Sequence, residues 1–356
     1  MSAKYRVALI GCGQRARSHV PGLLADPRCQ IVALSDVMPE TSAKMKQDFK
    51  LDAGTYTDHV AMLEKEKPEV VVSCLWTPLH LPVFQDCVNA GVKAVMSEKP
   101  MAPTYGLCLE MAELAQRSGV LLNFCHQRRF ARGNQLARRL IADGTFGKIE
   151  RMDLYSHPNL LDCGTHTFDQ AFSFNNESPV RWVLGACDAT EPLNWFNVPA
   201  ESMFVGHMVY ENGVHATMQC GGPDRELPAG VRVTGSEGFI EVQWDGEFGK
   251  AVRYSDPAWK APAVQDNPDD HVGRMIHNVL DCLATGLEPE LSYRKALRAE
   301  EVIFAFYESV RRHARITLPL KNVSDNPFIT MLEAGDFARG HSAAAMANRD
   351  VPAPVA

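Results

Sequence analysis

No stretch of this 356-residue sequence approaches the ~20 consecutive apolar residues needed to cross a bilayer, although apolar side chains make up 46% of it. Positive charge is also in short supply. Against 43 acidic residues there are 36 basic ones, a formal charge of −7, which argues against the basic footprint of non-specific nucleic-acid binding. The short clusters Arg128-Arg129 and Arg311-Arg312 read as solvated helix surface or local ion pairing. None of the ten cysteines forms a C-x-x-C pair, so they read as small buried hydrophobes in a reducing cytosol rather than disulfides or zinc ligands. His80, His126, His157 and His166 show no recognised ligand spacing, and no metal is expected. Met1-Ser2-Ala3-Lys4-Tyr5-Arg6 runs straight into the first strand pattern, which leaves no room for a signal peptide and predicts a cytoplasmic protein. There is no internal repeat.

What is present begins with Val7-Ala8-Leu9-Ile10, a short buried-strand pattern leading into Gly11-Cys12-Gly13-Gln14-Arg15-Ala16 and a helical pattern to about Leu24. This matches G-x-G-x-x-G/A at Gly11, Gly13 and Ala16. Gly11 allows a tight turn, Gly13 admits a pyrophosphate to the backbone, and Ala16 permits close helix–strand packing. The free N–H groups at the helix start suit a diphosphate. A second strand pattern, Gln30-Ile31-Val32-Ala33-Leu34-Ser35, ends in Asp36, near the ~20-residue spacing of an acid that binds adenosine ribose. Asp36 followed by Val37 predicts NAD rather than NADP.

Helical patterns at about 40–48, 59–66, 79–90, 105–118 and 133–143 alternate with strand-like runs at 69–73, 94–97 and 120–124, which predicts a doubly wound parallel sheet. Near residue 148 the texture changes to period-2 runs at 149–156, 182–187, 202–210, 214–219, 231–235 and 239–243. Turns such as Glu211-Asn212-Gly213 join them, as in an antiparallel sheet. Helical patterns return at about 270–285 and 293–313. The predicted class is α/β plus α+β: a dinucleotide-binding Rossmann domain over 1–125, and a substrate-binding and oligomerisation domain over 126–321. The second domain would be built on a large, mostly antiparallel open sheet, and 322–356 would form a C-terminal extension ending in a tail with little to bury.

Three polar clusters fall where such a fold presents them to a ligand. Trp76-Thr77-Pro78-Leu79-His80 and Ser97-Glu98-Lys99-Pro100 each follow a predicted parallel strand, and a cis bond before Pro100 would aim Lys99 into the cleft. Asp162-Cys163-Gly164-Thr165-His166-Thr167-Phe168-Asp169 opens a helix, placing Asp162 and His166 about one turn apart. A histidine with a nearby carboxylate can act as general base for a hydroxyl proton.

Gly11-x-Gly13-x-x-Ala16, Asp36, Thr77-Pro78, Glu98-Lys99-Pro100 and Asp162-x-Gly164-x-His166-x-x-Asp169, in this order, resemble the Gfo/Idh/MocA oxidoreductase family. Arg128-Arg129-Phe130, Gly144-Thr145-Phe146-Gly147-Lys148-Ile149 and Gly235-Ser236-Glu237-Gly238-Phe239-Ile240-Glu241 extend the resemblance over roughly residues 5 to 320. It implies oxidation or reduction of a secondary alcohol on a sugar or cyclitol with NAD or NADP, inositol dehydrogenase being the first comparison. It implies a catalytic set of Lys99, Asp162 and His166, in which Asp162 orients His166 or binds a neighbouring hydroxyl. The implied cofactor contacts are Gly11, Gly13, Gln14, Arg15, Ala16, Asp36, Trp76, Thr77, Pro78, His80, Glu98 and Lys99. Substrate would meet Lys99, Arg128, His157, Asp162 and His166. The open sheet would pair copies into a homodimer or homotetramer. The approach Ser156-His157-Pro158-Asn159-Leu160-Leu161 lacks the family's glycine-rich character, and the segment beyond Leu318-Pro319-Leu320 is longer than expected. An NAD-dependent glycoside hydrolase and a nucleotide-bound regulator are the alternative readings, and the intact Glu98-Lys99-Pro100 favours the dehydrogenase.

Overall fold

The structure, a computed structural model, describes residues 4–195, 198–221, 229–321 and 324–337. Strands β1 (Tyr5–Ile10), β2 (Cys29–Ser35), β3 (Gly54–Tyr56), β4 (Val70–Ser73), β5 (Ala94–Ser97) and β6 (Leu121–Phe124) form one sheet in the order β3-β2-β1-β4-β5-β6. All its pairings are parallel. Valine-rich β4 is buried along its whole length, as a strand covered on both faces must be. Helices α1 (Gln14–Arg17), α2 (Val20–Ala25), α3 (Pro39–Asp48), α4 (His59–Glu66), α5 (His80–Asn89), α6 (Tyr105–Ser118) and α7 (Arg132–Ala142) alternate with these strands and follow them. The single helix expected to run to Leu24 is interrupted after Arg17. Pro21 has no N–H to continue the ladder, and Ser18 and His19 instead donate to Arg15 and Ala16 in a tightened turn. Strand β3 had no legible signal of its own, being three residues on a sheet edge.

The second sheet contains β7 (Ile149–Ser156), β8 (Val180–Asp188), β11 (Met203–Tyr210), β12 (His215–Gly221), β13 (Gly230–Gly235), β14 (Gly238–Gln243), β15 (Phe248–Arg253) and β16 (Ile316–Thr317). Its order is β15-β14-β13-β7-β12-β11-β8-β16. All neighbours are antiparallel except β7 and β12. Strands β9 (Leu193–Trp195) and β10 (Val198–Ala200) form a separate small ribbon. Helix α8 (Thr165–Phe174) is buried along its whole length and packs between this sheet and α10 (Tyr293–Arg312).

The last helices tie the halves together. Helix α9 (Asp270–Thr285), expected with the second half, covers one face of the first sheet. Val272, Met275, Ile276 and Val279 join Val7, Leu9, Val72 and Met96 in one apolar cluster. Its approach to α2 is close: a Cβ on Gly22 would lie 2.8 Å from Gly273 Cα. The opposite face of the first sheet shares a second cluster with α10 and with the inner side chains of the second sheet, including Met152, Phe204 and Met218. Part of the expected C-terminal extension is also core. Helix α11 (Pro327–Glu333) buries Phe328 and Met331 against α10, with Phe328 5.3 Å ring to ring from Tyr307. Residues 322–323 and the expected tail at 338–356 lie outside the described residues. No helix among the described residues is long and apolar enough to cross a membrane.

Candidate active site

The glycine-rich turn sits at the carboxyl end of β1, where an open parallel sheet places its ligands. Gly11 has φ +80, and a Cβ there would collide with the Cys74 carbonyl at the end of β4. Gly13 is the opposite case: no heavy atom lies within 4 Å of where its Cβ would stand. That open space is what a diphosphate approaching the backbone requires. Ala16 is fully buried and Gln14 is exposed beside it. Asp36 accepts the Cys12 N–H at 2.7 Å and the Met38 N–H at 2.9 Å. Its carboxylate therefore stands beside the turn, where ribose hydroxyls could donate to it.

Arg15 links this turn to the next functional strand. Its Nε donates to Glu98 at 2.7 Å and its second nitrogen reaches Cys125 Sγ at 3.1 Å. Glu98 is buried, which alone would raise its pKa. The His19 hydrogen bond at 3.0 Å and the Arg15 charge override this and hold the carboxyl well below its usual range. His19, Glu98 and Cys125 bring three ligand-type atoms within 4.8 Å of one another, a cluster invisible in sequence spacing. Burial pushes the Cys125 thiol up to about 12, so it is protonated at neutral pH.

The bond between Lys99 and Pro100 is cis. Lys99 leaves the end of β5 and forms an ion pair with Asp162, also donating to the Asp162 carbonyl at 3.1 Å. Asp162 lies on a π-helical turn, Leu160–Gly164, capped by Asn159, whose Oδ1 accepts the Asp162 N–H at 2.9 Å. This corrects one expectation: the Asp162 carboxylate is directed to Lys99 and not to His166. His166, on the first turn of α8, is buried, and its Nδ1 has no hydrogen-bond partner among the described residues. Burial first, then the neighbouring basic groups Arg128, Lys99, His126 and Arg15, hold its pKa well below 6.5. The imidazole is neutral at pH 7.

Around His166 stand two aromatic rings, His126 and Trp244. His126 lies edge-on at 5.4 Å, with its Nε2 2.9 Å from Thr165 Oγ1. Trp244 lies 5.8 Å away and donates its indole N–H to Thr167 at 2.9 Å. The same indole meets exposed His157 at 5.3 Å and the Arg128 guanidinium at 4.4 Å. Trp244 thus gathers three expected site residues. The sequence did not single it out, because its only local mark is a turn, Trp244-Asp245-Gly246, with no spacing relation to residues 126–166.

Two further expectations need adjustment. His80, expected on the cofactor side, is buried with Nδ1 3.2 Å from the Met101 carbonyl and Nε2 3.1 Å from the Leu75 carbonyl. Both ring nitrogens face backbone, so the ring braces the two strand ends. In the turn before it, Thr77 is buried while Trp76 is half exposed, and Pro78 is exposed between them, leaving Trp76 and Pro78 available at the cleft.

Residues 5–126 match the sequence profile of the oxidoreductase family NAD-binding Rossmann fold, and residues 151–318 match that family's C-terminal alpha/beta domain. The chain belongs to the Gfo/Idh/MocA family. As a member it is an oxidoreductase with an NAD-binding Rossmann half. It is 26% identical to D-apiose dehydrogenase of Paraburkholderia graminis, over 94% of this chain and 95% of that one. An inositol 2-dehydrogenase of Pseudomonas fluorescens is 29% identical over 50% of this chain and 54% of its own length. Among solved structures, the WlbA dehydrogenase of Bordetella pertussis with NADH and UDP-GlcNAcA superposes with a TM-score of 0.77 at 21% identity. That superposition covers 90% of this chain and 99% of that one.

Proposed function

We propose that this oxidoreductase oxidises a secondary hydroxyl of a sugar, sugar derivative or cyclitol with NAD. The observation that carries the reading is the Lys99–Asp162 pair beside a buried His166 whose ring is neutral and whose Nδ1 is unpartnered. The relatives D-apiose dehydrogenase and inositol 2-dehydrogenase are named for a sugar and a cyclitol, which supports that substrate class. When bound, the cofactor supplies the nicotinamide that accepts hydride. Gly11, Gly13, Gln14 and Ala16 would hold its diphosphate, and Asp36 its ribose. Trp76, Thr77 and Pro78 follow β4 and Glu98 follows β5, with Arg15 reaching Glu98 from α1. The Asp36 carboxylate would repel a 2′-phosphate, which supports NAD over NADP.

His166 accepts the proton of the reacting hydroxyl, for which a neutral ring is required. The Lys99 ammonium donates to the same oxygen and stabilises the negative charge as the proton leaves. Asp162 holds Lys99 in place and is a positioning residue. The outer face of the second sheet exposes Leu184, Met203 and Val205, apolar surface that supports packing against a second copy.

A cofactor-reduction screen over inositols, aldoses and sugar acids tests the reading. Sustained NADH formation with any of them is the expected result. It separates a dehydrogenase from a regulator, and from a hydrolase that returns its NADH within each cycle. No NADH with any class would overturn the proposal.

A further inference from the structure

Two neighbouring arginines in the turn Gln127–Phe130 have opposite surroundings. Arg129, its side chain only 2% exposed, sits among three carboxylates: Asp169 at 2.7 Å, Glu177, and Glu290 at 3.3 Å. Among the described residues Arg128 has no such partner. Its Nε is buried with no hydrogen bond, and its guanidinium stacks on Trp244 instead of pairing with an acid. Asp245, the carboxylate that acts on it at longer range, is exposed and accepts the Glu247 N–H within its own turn.

A mostly buried, unpaired cation is costly unless something compensates it. Stacking on an indole recovers part of that cost. The other cations here are already compensated, Lys99 by Asp162 and Arg15 by Glu98. Arg128 is therefore the uncompensated cation of the site among the described residues. It stands next to the proposed base: Trp244 contacts both Arg128 and His166, so an anion on Arg128 and a hydroxyl at His166 fit within the span of one sugar.

We propose that Arg128 binds a carboxylate of the substrate, so that the enzyme acts on a polyhydroxy acid, such as an aldonate, a uronate or a carboxylated cyclitol, in preference to a neutral sugar. This rests on the dehydrogenase reading above. The planar guanidinium fork matches a carboxylate's two oxygens. A phosphate dianion would call for a second free cation, which Lys99 and Arg15 do not supply.

The test is NADH formation from matched substrates: each aldonate or uronate beside its methyl ester or amide, the neutral polyol and a sugar phosphate. Wild type, R128M and R128K are compared. Wild type should favour the acid over its uncharged partner by about 10²–10³-fold in kcat/KM, the range that follows from losing one buried charge-pair partner. R128M should bring that ratio close to one, and R128K should restore only part of it. R128M should melt no lower than wild type, because methionine replaces an unpaired buried charge. A structural arginine would give the opposite. Equal use of acid and ester, a preference for the sugar phosphate, or an acid preference that survives R128M would overturn the carboxylate subsite and leave the dehydrogenase reading standing. No NADH from any member of the set would overturn the dehydrogenase reading, and this inference with it.

Discussion

Glu300 offers a quantitative test of the packing behind Lys99. It lies on α10, fully buried, with one oxygen accepting the Met101 N–H at 2.8 Å just after the Lys99–Pro100 turn and the other unpartnered among the described residues. Burial raises its pKa from 4.5 to about 8, against the smaller lowering effects of Met101 N–H and Lys99. The folded state therefore keeps a proton that the unfolded chain loses above about pH 4.5. The group's stability contribution is complete below that pH and is lost as pH rises towards 8. At pH 7 the gap is about 2.5 pH units, and at about 1.4 kcal/mol per unit the penalty is on the order of 3 kcal/mol. Glu300→Gln keeps an oxygen for Met101 and removes the titration. Its melting temperature should match wild type near pH 4.5 and exceed it increasingly up to pH 8. At roughly 2 °C per kcal/mol for a chain of this size, the gain at pH 7 is about 6 °C. Calorimetric melts from pH 4.5 to 8.5 read this directly. A difference that does not vary with pH would refute the reasoning, because only ionisation gives the effect that slope.

His166→Ala should lower kcat by ~10²–10⁴-fold and Lys99→Ala by ~10²–10³-fold, with NAD affinity nearly unchanged in both. Because both act on one oxygen, the double variant should lose less than the product. Wild-type-like turnover in Lys99→Ala would end that assignment. Since burial and neighbouring cations lower the His166 pKa, the acid limb of kcat/KM should fall below pH 6.5, with activity lost as the ring gains its proton; a limb above 6.5 would contradict a neutral buried base. NAD should be preferred to NADP in kcat/KM, and Asp36→Ala should narrow the ratio by relieving repulsion of the 2′-phosphate; an NADP preference in wild type would sink the Asp36 argument. Light scattering at micromolar concentration should show a dimer or tetramer, and Leu184→Glu with Val205→Glu should shift it towards the 39.4 kDa monomer; a wild-type monomer would refute packing through the open sheet.

Local pattern alone determined most of the elements and the dinucleotide turn, because each rests on short-range physics. Strand β4 reads from four consecutive buried residues, Val70–Ser73. The turn at Gly11 reads from a backbone that only glycine adopts easily. Lys99, Asp162 and His166 were legible as candidates because strand ends and helix starts carry them. How they are wired was not legible. Whether Asp162 serves His166 or Lys99 depends on where β5 and the turn Leu160–Gly164 meet, 63 residues apart in sequence. Arg128 and Arg129 are identical in type and adjacent in sequence, yet one meets three carboxylates and the other an indole. Those partners come from α8, the turn after it, the α9–α10 connection and the end of β14. Helix α9 shows the same division, since its amphipathic pattern marked a helix but not the sheet that it covers. Periodicity records which face of an element is apolar; which surface meets that face is settled only when distant segments pack together.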